Sequence, residues 1–209
     1  MSPSTTTRTW GRVVPVRSSS KRVLVGLVLA VIAIAAVGLA QTMPPPAKAP
    51  AITIDNPTDY DARANLMWCA TNALNGLIGA GVPQDWTTHM LGHELTAMFG
   101  IDHAKTLAIL QPAVWTVRKE QKRAKLVQYA ERVWDLTAGD EDSRIEQAIA
   151  KTRDFFEGLG VSTRLGSYGV TADKIDALIA ALEQHQMTAL GETQDVTLEV
   201  SRRILETAM

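Results

Sequence analysis

The spacing of apolar positions divides this chain into stretches of different character. Residues 1–22 are rich in Ser, Thr and Arg and have no apolar period. Such a composition buries too little apolar surface to offset the entropy of ordering, so a basic, disordered N-terminus is expected there. From Val23 to Ala40 every residue is apolar or Gly. An 18-residue run of this kind would rise about 27 Å as a helix, close to the hydrocarbon thickness of a bilayer, so 23–40 predicts a single transmembrane helix or signal anchor. Gly38 and Ala40 also suit signal-peptidase cleavage, but the length of the run favours a retained anchor. Pro44, Pro45, Pro46 and Pro50 then predict a stiff, extended linker over 41–58.

From about Asp59 the apolar positions recur at helical spacing and continue to do so to residue 209. A helix over 59–80 ends at Gly79, Gly81 and Pro83. The next starts at a Thr87 or Thr88 cap and stops at Gly100. Asp102 is read as the cap of a third helix, which should bend or break near Pro112. A charged helix over 118–134 has Leu126, Tyr129, Ala130, Val133 and Trp134 as its inward stripe. Further helices are expected over 142–157, from Thr171 to about residue 184, and from Asp195 through Leu205, with a glycine-containing loop over 159–170. No alternating strand is legible. The fold class is therefore all-α, a helical bundle over 59–209 preceded by one transmembrane helix.

Charge sharpens the division. The formal net charge is −1, yet no Asp or Glu occurs before Asp55, while Arg8, Arg12, Arg17, Lys21, Arg22 and Lys48 all do. The helical part is thus acidic, which excludes nucleic acid as its partner, because phosphate binding needs a basic face. The basic cluster ending at Lys21 and Arg22 should remain cytoplasmic, which predicts single-pass membrane localisation with the helical part on the far side. The single cysteine, Cys69, excludes an intrachain disulfide and a cysteine-rich metal site.

Chemistry concentrates in the stretch from Thr88 to Leu107, which holds three of the four histidines: His89, His93 and His103. On a helix His89 and His93 lie on one face, one turn apart. Neutral imidazole is a common metal ligand and the usual proton shuttle near neutral pH. The familiar alternatives fail. No phosphate-binding glycine loop is present, Gly166-Ser167-Tyr168-Gly169 is one residue short of a nucleophile elbow, and Ala97 stands where an H-E-x-x-H motif needs its second His. Spacing alone leaves two arrangements: His89 and His93 chelate an ion as a helical pair, or His89 and His103 do so across the Gly100 turn and leave His93 for proton transfer. Either is short of the three protein ligands of a catalytic site unless Glu94 or Asp102 joins.

The run NLMWCATNALNGLIGAGVPQDWTTHMLGHELTAMFGIDHAKTLAIL, from Asn65 to Leu110, resembles the C-terminal helical domain of iron-containing alcohol dehydrogenases, a dehydroquinate synthase-like fold. The resemblance is to the branch of NADPH-dependent aldehyde reductases and butanol dehydrogenases. It continues through KRAKLVQYAERVW, FFEGLGVSTRL and SRRILE. In that family the metal is held by an Asp and a His from an earlier helix and by two further histidines, which map onto His89 and His103. The intervening histidine, which maps onto His93, lies beside the nicotinamide and serves proton transfer. The resemblance therefore implies Fe²⁺ or Zn²⁺ at His89 and His103, NADP(H) near His93, and metal-dependent, NAD(P)H-linked interconversion of aldehydes and primary alcohols.

The same resemblance implies that the α/β nucleotide-binding domain and two of the metal ligands should precede this region. Here that place holds the basic tail, the apolar run and the proline-rich linker. Two readings follow. One is an incomplete oxidoreductase that works as a homodimer or with a nucleotide domain supplied in trans. The other is a non-catalytic, membrane-tethered helical domain that binds a partner or is a remnant of the enzyme.

Overall fold

A computed structural model describes residues 48–209. The basic tail 1–22, the apolar run 23–40 and the first part of the linker lie outside the described residues. Among the described residues no helix is long and apolar enough to cross a membrane. The expected single-pass membrane localisation is corrected on that finding, and the described part of the chain supports no membrane tether.

The described chain is a succession of helices: α1 (Lys48–Asp55), α2 (Tyr60–Leu74), α3 (Thr87–Phe99), α4 (His103–Val117), α5 (Arg123–Trp134), α6 (Glu141–Gly158), α7 (Ile175–Gln184) and α8 (Leu198–Thr207). Two short 3₁₀ turns, Leu165–Tyr168 and Ala172–Lys174, lead into α7. A small antiparallel hairpin, β1 (Ala189–Leu190) with β2 (Val196–Thr197), joins α7 to α8 and pairs Ala189 with Thr197 and Leu190 with Val196. It is too short for an alternating pattern to register in the sequence.

α4 is the axis of the bundle. Ala104, Thr106 to Leu110 and Pro112 to Trp115 are all buried, so it is enclosed on nearly every side. Leu91 and Leu95 of α3 pack on it with Leu178 and Leu182 of α7 and Ile204 and Leu205 of α8, forming the main core. Of the bend or break expected near Pro112, no break occurs: α4 runs through it as one helix. The lost backbone hydrogen bond and ring clash cost about 3 kcal/mol, a penalty that enclosure by three neighbouring helices offsets.

A second cluster joins the inward stripe of α5 to α6. Leu126, Tyr129 and Ala130 are buried against Ile145, Ala148 and Ile149, while Val133 and Trp134 pack at its edge. The Tyr129 hydroxyl bonds the Thr152 hydroxyl at 2.8 Å, so the polar atom carried into this core is satisfied. Pro50 is another departure, because part of the expected linker is helix α1. It falls in the first turn, where the missing proline N–H has no intrahelical partner to lose. α1 packs against α2, whose Leu66 and Cys69 meet Leu107, Ala108 and Phe156, with Ala62 also buried.

Candidate functional site

α3 and α4 form a tight helical hairpin, and its closed end carries the histidines. α3 stops at Gly100, which adopts φ 65 and ψ 20, the left-handed geometry that a glycine reaches without strain. Two residues later α4 begins at His103 itself. Close approach is secured by Gly92, between His89 and His93 in sequence. A Cβ there would lie 2.6 Å from Thr106 Oγ1, 3.3 Å from Thr106 Cβ and 3.8 Å from His103 Nδ1. The Thr106 hydroxyl donates to the His103 carbonyl at 2.7 Å, so the first turn of α4 is fixed directly opposite Gly92.

The structure brings all three sequence-predicted histidines together. The His103 ring lies 5.3 Å from that of His89 and 5.0 Å from that of His93, centroid to centroid. Trp86 stands edge-on to His89 at 4.9 Å. Exposure separates them: His89 and His103 are half-buried and His93 is exposed. Burial, with His103 and His93 close by, lowers the His89 imidazole to about 4, although Asp85 pulls the other way. Burial and the neighbouring His93 also hold His103 below its ordinary value. Both are therefore neutral at neutral pH, the form in which imidazole binds a metal.

The donors fit Fe²⁺ or Zn²⁺ in kind. His103 Nδ1 is buried and has no hydrogen-bond partner among the described residues, an unsatisfied group at the centre of the cluster. In number the site falls short, since among the described residues no group of three or more His, Cys, Asp or Glu side chains is arranged to hold a metal ion. Both carboxylates considered as additional ligands are engaged elsewhere. Glu94 is buried and bonds His185 Nδ1 at 2.7 Å. Asp102 pairs with Lys105 at 2.7 Å and makes no side-chain cap.

The support beneath the histidines was not read from the sequence. The residue before α3 is Trp86, so neither Thr87 nor Thr88 caps the helix; the Thr87 N–H donates instead to Asp85 Oδ1 at 2.8 Å. Lys122 reaches Asp85 at 2.8 Å and Glu192 of the β-hairpin at 2.8 Å, while Arg118 pairs with Asp195. Burial would raise the Asp85 carboxyl, but hydrogen bonds from Lys122 and Thr87 hold it below its usual range. Asp-x-Thr ahead of a helix is a turn signal that would have located Asp85. The Lys122 pairing spans too much sequence to be read.

The sequence profile described as Fe-containing alcohol dehydrogenase family, C-terminal, matches residues 47–209. The NADPH-dependent aldehyde reductase YqhD of Escherichia coli is 64% identical over 155 residues, covering 74% of this chain and 40% of that protein. NADH-dependent butanol dehydrogenase B of Clostridium acetobutylicum is 39% identical over 141 residues, covering 66% of this chain and 35% of that protein. The substrate- and cofactor-free structure of the E. coli aldehyde reductase superposes with a TM-score of 0.85 at 49% identity, over 93% of this chain and 54% of that one. NADH-dependent butanol dehydrogenase A of Thermotoga maritima shares the fold, with a TM-score of 0.78 at 23% identity over 93% of this chain and 53% of that one. The chain thus spans 40% or less of these two curated relatives and about half of these solved chains.

Proposed function

This chain belongs to the Fe-containing alcohol dehydrogenase family, and from that premise we propose that it carries the metal-facing and proton-transfer half of an NAD(P)H-linked oxidoreductase acting on aldehydes and primary alcohols. The observation that supports this reading best is the meeting of His89 and His103 across the Gly100 turn, both half-buried and both neutral near pH 7. In this reading His89 and His103 hold Fe²⁺ or Zn²⁺. When bound, the ion would act as a Lewis acid on a carbonyl oxygen while the nicotinamide supplies hydride to its carbon.

His93 takes a different role. It is exposed, and its ring is 5.0 Å from that of His103, so it can exchange a proton with solvent and pass it to an oxygen held beside the pair. In this reading it faces the nicotinamide, as the family resemblance implies. Gly92 and Thr106 set the spacing of the ligand-bearing turns, and the Asp85–Lys122 pair fixes where α3 begins.

The donor count makes the chain dependent on more than the described residues. Two imidazoles leave a catalytic site short of ligands, so in this reading the remaining donors and the nucleotide fold are supplied by a nucleotide-binding domain outside the described residues. Titration of the full chain with Zn²⁺ tests the assignment. Wild type and His93→Ala should bind one ion per chain, and His89→Ala and His103→Ala should lose it. Equal binding by all four would overturn the assignment. Assayed alone with NADPH and butanal, the chain is expected to turn over poorly or not at all. A second reading, a non-catalytic domain that binds a protein partner, is favoured by the short donor set and by the open apolar face of α2. Co-purification separates the two, since the first reading expects recovery of a nucleotide-binding domain and the second does not.

A further inference from the structure

The β-hairpin walls the start of α3 and is tied to it by charge. Thr87, the first residue of α3, is fully buried, and the turn of the hairpin lies against it: a Cβ on Gly191 would sit 3.6 Å from Thr87 Oγ1. That turn carries two carboxylates, Glu192 and Asp195. The segment after α4 meets them with Lys122 and Arg118, joined by a backbone bond from the Lys122 N–H to the Arg118 carbonyl at 3.0 Å. Arg118 reaches only the hairpin. Lys122 goes further, because its ammonium lies 2.8 Å from Glu192 and 2.8 Å from Asp85, the residue before Trp86. Burial would lower this ammonium, but its two carboxylates hold it above the ordinary lysine value, so it stays charged.

On the reading of His89 and His103 as a ligand pair, we infer that Lys122 is a positioning residue of the histidine site: by bridging Asp85 to Glu192 it fixes the first turn of α3 and with it the Trp86 and His89 rings. Asp85 uses its two oxygens for separate tasks. Oδ1 accepts from the Thr87 N–H at 2.8 Å, and Oδ2 faces Lys122. Trp86 makes no side-chain cap, so this turn does the work of one, and a carboxylate held at both oxygens cannot pivot. Exposed ion pairs contribute little, but here the Lys122 and Asp85 side chains are only 14% and 19% exposed. Without the ammonium, two partly buried carboxylates would be left without a counter-charge and would move apart or toward water. Leu91 and Leu95 keep the body of α3 in the core, so the shift falls on its first turn. There Trp86 stands 4.9 Å from His89, whose ring is 5.3 Å from that of His103. A ligand pair tolerates little displacement of either ring.

Two measurements on the full chain test this role. The first needs no metal. The Trp86 ring current displaces the His89 ring resonances in NMR spectra of the metal-free protein, and Lys122→Met should move them toward the positions they take in Trp86→Leu. The second is Zn²⁺ titration, in which Lys122→Met should bind about tenfold or more weakly, while Lys122→Arg, which keeps a donor for each carboxylate, should return to within about threefold of wild type. Wild-type resonances and wild-type affinity in Lys122→Met would overturn the inference. Equal weakening by Met and Arg would overturn it too, since the loss would then follow any change at this position. Should Lys122→Met not fold, Glu192→Gln removes only the hairpin end of the bridge. It should shift the same ring resonances by a smaller amount, and no shift overturns the inference. His89→Ala in the same titration keeps the two readings apart. If it loses Zn²⁺ and Lys122→Met does not, only the bridge falls. If it binds Zn²⁺ as wild type does, the ligand assignment falls and takes the bridge's role with it.

Discussion

α4 and α2 are both helices of 15 residues, and they use their apolar side chains differently. α4 is enclosed by α3, α6 and α8, and even its proline is tolerated because packing dominates local propensity. α2 buries only Ala62 and Leu66 fully and leaves Tyr60, Met67, Trp68 and Leu74 exposed. The difference shows that an apolar pattern says how much surface a helix must cover, while its neighbours decide how much is covered. The histidines sit on the enclosed side of this divide, at the start of α4 and on the helix it packs against, where a frame held by core contacts can fix ring positions. α2 contributes stability to the bundle through one face only.

The sharpest way to break the contrast is to weaken each helix where it is buried. Leu110 of α4 is fully enclosed in the main core, so Leu110→Ala should cost about 3–4 kcal/mol in urea unfolding. A cost below about 1 kcal/mol would mean that α4 is not the axis of the bundle. Next in size is Gly92→Ala. The added Cβ would meet Thr106 Oγ1 at 2.6 Å, and Thr106 is fully buried. The forced shift should cost about 1–2 kcal/mol net of the helix propensity gained, and Zn²⁺ binding should weaken with it. Retention of both stability and binding would show that the spacing of α3 and α4 does not depend on Gly92.

A smaller effect is expected from pH. The folded His89 imidazole lies at about 4 and the unfolded one near the ordinary value of 6.5. Between those values the unfolded chain binds the extra proton, so stability falls as pH drops through this window and is level above it. Because His89 is only partly buried and solvent screens its charge, the loss should be only about 1–2 kcal/mol. Melts from pH 4 to pH 7 on wild type and His89→Gln would measure it, and equal slopes in the two would remove His89 as the cause.

Much of the helical architecture was legible because it rests on short-range signals. Gly100 ends α3 where a left-handed glycine is read, and the Leu126, Tyr129 and Ala130 stripe turns inward as its spacing predicts. What escaped reading depends on contacts distant in sequence. Asp59 does cap α2 through the Ala62 N–H at 2.9 Å, but the last helix starts at Leu198 and is capped by Thr197, while Asp195 pairs with Arg118. Of the candidate site, the three histidines and their proximity followed from spacing and resemblance. The engagement of Glu94 by His185, 91 positions away, could not. Pairings over such distances are set by tertiary geometry, which no local pattern encodes.

The smallest effect sharpens the comparison most. Trp68 and Leu66 are two positions apart on α2 and face opposite ways, Leu66 6% exposed and Trp68 60% exposed to solvent. On the inner face Leu66→Ala should cost about 2 kcal/mol or more in urea unfolding, because it empties a place packed against Leu107, Ala108 and Phe156. Trp68→Ala removes a largely hydrated ring and should change stability by less than about 0.5 kcal/mol. Equal costs for the two substitutions would mean that α2 is not enclosed on one face only.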